Sequence, residues 1–112
     1  EAWSAERLRA LRAEGTPVFV NMTADWCVTC KANERRVLAA PEFVRALEDT
    51  GTRYLVGDWT NVDPAITAYL ESHRAVGVPL YVHYPANGGT PRVLPTLLGL
   101  ADTVATVRGD AR

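Results

Sequence analysis

Cys27 and Cys30 are the only two cysteines of the chain, three positions apart in Trp26-Cys27-Val28-Thr29-Cys30-Lys31. That spacing lets a disulfide close across the first turn of a helix. Such a bond is a poor staple, because a disulfide stabilises mainly by restricting the unfolded chain and this loop encloses only two residues. Reversible thiol chemistry is the better reading. The residues from Val28 onward favour a helix, so Cys27 falls at a helix N-terminus, where unpaired amides and the helix dipole favour thiolate over thiol. Cys27 is the expected nucleophile, and Cys30, one turn further in and more buried, is the expected resolver of a mixed disulfide. A zinc site would need two further ligands. There is no second CxxC, and His73 and His83 lie outside the usual finger spacing. No metal or cofactor is therefore expected, and neither histidine is given a role.

The elements around the motif explain how it would be held. Pro17-Val18-Phe19-Val20-Asn21-Met22 is a compact apolar, β-branched run that leads through Thr23, Ala24 and Asp25 into the motif, placing the cysteines where a strand ends. Before it, Ser4 is a candidate N-cap for a helix through about Ala13, with Gly15 as its stop. After it, a helix is expected from Val28 to about Ala39, interrupted at Pro41. A further helix follows over Glu42 to Asp49, with Gly51 as terminator, and then a strand over Arg53 to Trp59. Asp63-Pro64 has the form of an N-cap and first-turn proline, opening a helix to about His73 that buries Ile66, Tyr69 and Leu70. Val78 to Tyr84 is a third strand, Asn87-Gly88-Gly89 a hairpin turn, Pro91 to Leu94 an edge partner, and Ala101 to Arg108 a last helix. This order implies an α/β fold with a mixed central sheet and helices on both faces, one domain over residues 1–112.

The bulk composition agrees. The chain has 112 residues, 47% hydrophobic and 22% charged, an ordinary globular profile. A formal charge of -1 carries no basic excess to attract nucleic acid or an anionic membrane. No apolar run reaches the roughly 20 residues needed to span a bilayer, so this segment is not expected to insert in one. Glu1-Ala2-Trp3 has neither an initiator Met nor a signal-peptide profile, and the chain is expected to be part of a longer protein.

Taken together, Ala24-Asp25-Trp26-Cys27-Val28-Thr29-Cys30-Lys31 and the later Gly77-Val78-Pro79 resemble the thioredoxin superfamily. With Glu34 and Pro41-Glu42-Phe43-Val44 added, the match is closest to the C-terminal periplasmic domain of DsbD-type transmembrane disulfide reductases, including their copper-sensitivity (ScsB-like) relatives. It covers about Pro17 to Val107 and implies a thioredoxin-like fold. It also implies a periplasmic domain that takes electrons from a membrane-embedded cysteine pair and hands them to a further periplasmic thiol domain.

The resemblance further implies that Pro79 is cis beside the cysteines, that the backbone of Val78 pairs with a substrate strand, and that Glu34 helps set the cysteine pKa. The plainer alternative for Glu34 is a solvated helix residue paired with Lys31. Where the family has a buried aspartate six residues before the first cysteine, this chain has Asn21, which can hydrogen-bond but not ionise. Simpler titration of Cys27 is the expected result. Trp26 is expected either to form an apolar rim against partners or only to pack, and Asp25 to be a solvated loop residue. Two other readings keep the same residues: a free-standing periplasmic reductase of the cytochrome c maturation type, and a non-catalytic module that uses the thiols for docking or Cu(I).

Overall fold

The computed structural model describes residues 1–109; the last three positions of the expected 1–112 domain lie outside the described residues. Along the chain run α1 (Ala5–Ala13), β1 (Val18–Thr23), α2 (Val28–Asn33), α3 (Pro41–Thr50), β2 (Arg53–Asp58), α4 (Pro64–Ser72), β3 (Leu80–Tyr84), β4 (Arg92–Val93) and α5 (Leu100–Arg108). The sheet order is β2-β1-β3-β4, with β1 and β2 parallel and the other two pairings antiparallel. The mixed sheet with helices on both faces is thus as expected.

β1 is one of the two inner strands and every one of its residues is buried, which is why its sequence reads as a continuous rather than alternating apolar run. Val18, Val20 and Met22 meet Leu55, Leu80 and Val82 under Leu11 of α1 and Ile66 and Leu70 of α4. Phe19 points the other way, into a cluster with Val37, Phe43, Ala46, Tyr81 and Val107 beneath α3 and α5. Its ring meets Phe43 edge-on at 5.2 Å.

The helix ends follow local chemistry. Ser4 Oγ accepts from the Arg7 N–H at 3.0 Å, and Asp63 Oδ1 accepts from the Ala65 and Ile66 N–H groups, each cap being worth about 1 kcal/mol. Gly51 closes α3 in the left-handed region at φ 68°, where a side chain would be strained.

Three details depart from expectation. The helix expected to run evenly from Val28 to Ala39 instead widens after Asn33 into a π-helical turn, Glu34–Leu38, closed by Ala39 N–H donating to the Glu34 carbonyl at 2.9 Å. The extra residue lets Val37 and Leu38 both enter the core before Pro41 starts α3. β3 begins at Leu80 rather than Val78, since Pro79 has no N–H to give the ladder; the Val78–Pro79 peptide bond is cis. Finally, residues 1–3 add to the outer edge of β2: Ala2 pairs with Val56 in parallel, Val56 N–H donates to the Glu1 carbonyl at 2.8 Å, and Trp3 N–H donates to the Val56 carbonyl at 2.9 Å.

Candidate active site

β1 and β2 run parallel and end side by side at Thr23 and Asp58, so the loops after them share one edge of the molecule. The loop after β1 delivers Cys27 to the N-cap of α2, where its Sγ accepts from the Cys30 N–H at 3.2 Å. Cys27 and Cys30 are joined as a disulfide with Cα atoms 5.2 Å apart. Cys30 is completely buried and Cys27 is 7% exposed, so the expected order of access is present but the outer sulfur is nearly closed over. Ala24 and Val78 pack against the pair and account for that closure.

The neighbours of Cys27 are far more open: Trp26 is 55% and Val28 83% exposed. Trp26 lies tilted on Trp59 with ring centroids 5.9 Å apart and donates from Nε1 to the Thr60 carbonyl at 3.1 Å. Trp26 thus packs on Trp59 while leaving about half of its surface open at the edge of the site. Thr60 Oγ1 accepts from the Asp25 N–H at 2.8 Å and donates to Asp58, whose carboxyl is held below its ordinary pKa by the Thr60 hydroxyl and N–H. Sequence reasoning missed Trp59 and Thr60. Their signal was the parallel pairing itself, since parallel strands bring their C-terminal loops together.

On the other side of the disulfide, Val78 and Pro79 form a wall of a groove of about 400 Å³, completed by Val76, Val93, Leu94 and Thr96. Val76 is fully exposed. Cys27, Cys30, Trp26, Val78 and Pro79 thus lie at one edge of the molecule.

Residues 1–86 match the family model described as thioredoxin-like. The chain belongs to the thioredoxin-like family. Among curated proteins it is similar to the thiol:disulfide interchange protein DsbD of Cronobacter sakazakii, 40% identical over 71% of this chain and 14% of that protein. It is also similar to DsbD 2 of Pseudomonas aeruginosa, 37% identical over 65% of this chain and 12% of that one. The chain therefore spans only about a seventh of the curated relatives it matches. Among solved structures, the oxidised C-terminal domain of Neisseria meningitidis DsbD superposes with a TM-score of 0.75 at 22% identity, covering 98% of both chains. A thioredoxin from Thermus thermophilus gives 0.70 at 22% identity, over 97% of this chain and 84% of that one.

Beneath this thioredoxin-like motif lies a polar stripe. Glu34, at the start of the π turn, accepts from Thr23 Oγ1 at 2.8 Å and faces Lys31 Nζ at 3.6 Å. The Lys31 pairing expected for a solvated residue is present, but so is an anchor to the sheet. Asp25 is exposed and 3.8 Å from the same lysine. Asn21, 2% exposed, donates from Nδ2 to the Tyr54 hydroxyl at 2.9 Å, while its buried Oδ1 has no hydrogen-bond partner among the described residues. Burial pushes the Tyr54 phenol up, opposed by the Asn21 donation and reinforced by the Glu34 charge. Tyr81, pushed up to about 12 by burial, lies beside Asn21 on β3. His73 borders the groove and His83 is buried in β3; burial lowers the pKa of both.

Proposed function

We propose that this chain is a thiol:disulfide exchange domain whose Cys27–Cys30 pair reduces disulfides of other proteins. The observation that carries the reading is the Cys27–Cys30 disulfide at the N-terminus of α2, wedged against Val78 beside an open groove. In the reduced domain the Cys27 thiolate attacks a partner disulfide, forming a Cys27–partner bond and expelling one partner thiolate. Cys30, deprotonated, then attacks Cys27 Sγ, closing the Cys27–Cys30 bond and releasing the second partner thiolate. Two electrons pass to the partner. Cys27 and Cys30 are the catalytic residues; Trp26, Val78 and Pro79 shape the contact surface, and Glu34 and Asn21 set the electrostatics below it.

Similarity to a small part of DsbD supports a place for this domain in a longer electron relay. Its donor would be a membrane-embedded cysteine pair and its acceptor a periplasmic thiol domain, of the same or a partner protein, with the domain itself in the periplasm. Among the described residues no helix is long and apolar enough to cross a membrane, so any spanning part would lie elsewhere in such a protein.

The test combines trapping with a potential. Cys30→Ser should accumulate mixed disulfides through Cys27, and Cys27→Ser none. The Cys27/Cys30 couple, equilibrated in dithiothreitol buffers, should sit well below the oxidising value of about -120 mV of DsbA-type proteins. A pair that neither traps partners nor exchanges would leave a docking or Cu(I) module; a full-length gene without membrane segments would leave a free-standing reductase.

A further inference from the structure

Asn33, three residues beyond Cys30 on α2, is 2% exposed, and both polar atoms of its amide are engaged. Nδ2 donates to the Tyr81 hydroxyl at 2.9 Å and to the Thr96 carbonyl at 2.8 Å, and Oδ1 accepts from the Leu98 N–H at 3.1 Å. The orientation of the amide is unambiguous, because the Thr96 carbonyl only accepts and the Leu98 N–H only donates. A buried amide in a helix is unfavourable unless so satisfied, and an apolar residue would fill the same position at lower cost. The three bonds therefore point to a specific task.

Their partners are 48, 63 and 65 residues away in sequence. They tie the helix that carries Cys30 to the strand following Pro79 and to the segment between β4 and α5. That segment borders the groove through Thr96, and because the backbone is held inward at Thr96 and Leu98, Leu97 between them stands out, 67% exposed. We propose that Asn33 is a positioning residue that latches the Thr96–Leu98 segment and presents Leu97 and the groove wall to the polypeptide around a partner disulfide. It acts on docking and not on the sulfur chemistry, and so favours protein disulfides over small ones. This rests on the exchange function proposed above.

The test uses pre-reduced protein in single turnover against two probes: insulin, whose disulfides lie in polypeptide, and the small aromatic disulfide dithiobis(nitrobenzoate). Asn33→Ala should slow insulin reduction about tenfold, the equivalent of roughly one net hydrogen bond, and leave the small disulfide within about twofold. Leu97→Ser, a surface change that spares the fold, should reproduce most of the insulin loss. Tyr81→Phe keeps both backbone bonds of Asn33 and should stay near wild type with both probes. Equal slowing of the two probes by Asn33→Ala, or unchanged insulin reduction in Leu97→Ser, overturns the assignment. Wild-type protein inert to both disulfides would instead overturn the exchange reading, and this assignment with it.

Discussion

The two faces of the sheet are built on different terms. Under α1 and α4, Val18, Val20, Met22, Leu55, Leu80 and Val82 form an apolar layer, and the Tyr69–Tyr84 hydroxyl pair at 2.6 Å that borders it sits at the strand end away from the cysteines. Under α2, the π turn, α3 and α5, β1 instead presents Phe19, then Asn21, then Thr23, passing from apolar to hydrogen-bonding as it approaches the disulfide. Asn33, Glu34, Tyr54 and Tyr81 continue that polar stripe. One strand thus supplies stability on one side and adjustable electrostatics on the other, because alternate side chains of a strand face opposite ways.

This contrast can be broken most forcefully on the apolar side. Leu55→Ala removes a completely buried side chain and should cost about 2–5 kcal/mol in urea unfolding while leaving the exchange rate of the folded fraction unchanged. A slowed exchange in that variant would mean the faces are not separable.

On the polar side, Asn21→Asp should raise the pH at which Cys27 ionises and add a second step to the titration, since a carboxylate under the disulfide disfavours a neighbouring thiolate. Glu34→Gln should move the same titration to lower pH. Thiolate ultraviolet absorbance measures both. A second step already present in wild type that survives Glu34→Gln would refute the role given to Asn21.

The smallest effect concerns His83, buried on β3 with Nε2 lacking a partner among the described residues. Burial, aided by Arg92, lowers its pKa in the fold. It binds a proton less readily folded than unfolded, so its contribution is complete above the unfolded value of about 6.5 and is lost as pH falls through the folded value. His73, lowered by burial, contributes with the same sign. His83→Leu should make the acid limb of the stability profile shallower in urea unfolding at stepped pH; an unchanged slope would remove His83 from the account.

What sequence reasoning could read was local. Ser4, Asp63, Gly51 and Pro41 mark helix ends through bonds to residues a few positions away, and the cysteine spacing specifies its own chemistry. What it could not read was set across the fold. Asn33 looks like an indifferent helix residue until Tyr81, Thr96 and Leu98 are brought to it. The π turn depends on how Val37 and Leu38 reach the core, and Trp59 gains its place beside Trp26 only once β1 and β2 lie parallel. Glu34 was visible as a candidate, but its anchor on Thr23 follows from the packing of the π turn against β1.

The bridge between Ala2 and Val56 has a bearing on solubility. An unpaired strand edge is a template for joining another chain, and the outer side of β2 is partly occupied by residues 1–3, with Glu1 held by ion pairs to Arg7 and Arg53. At the opposite side β4 offers only Arg92 and Val93. Among the described residues little ladder remains for a second copy to extend, which disfavours edge-to-edge pairing of neighbouring molecules.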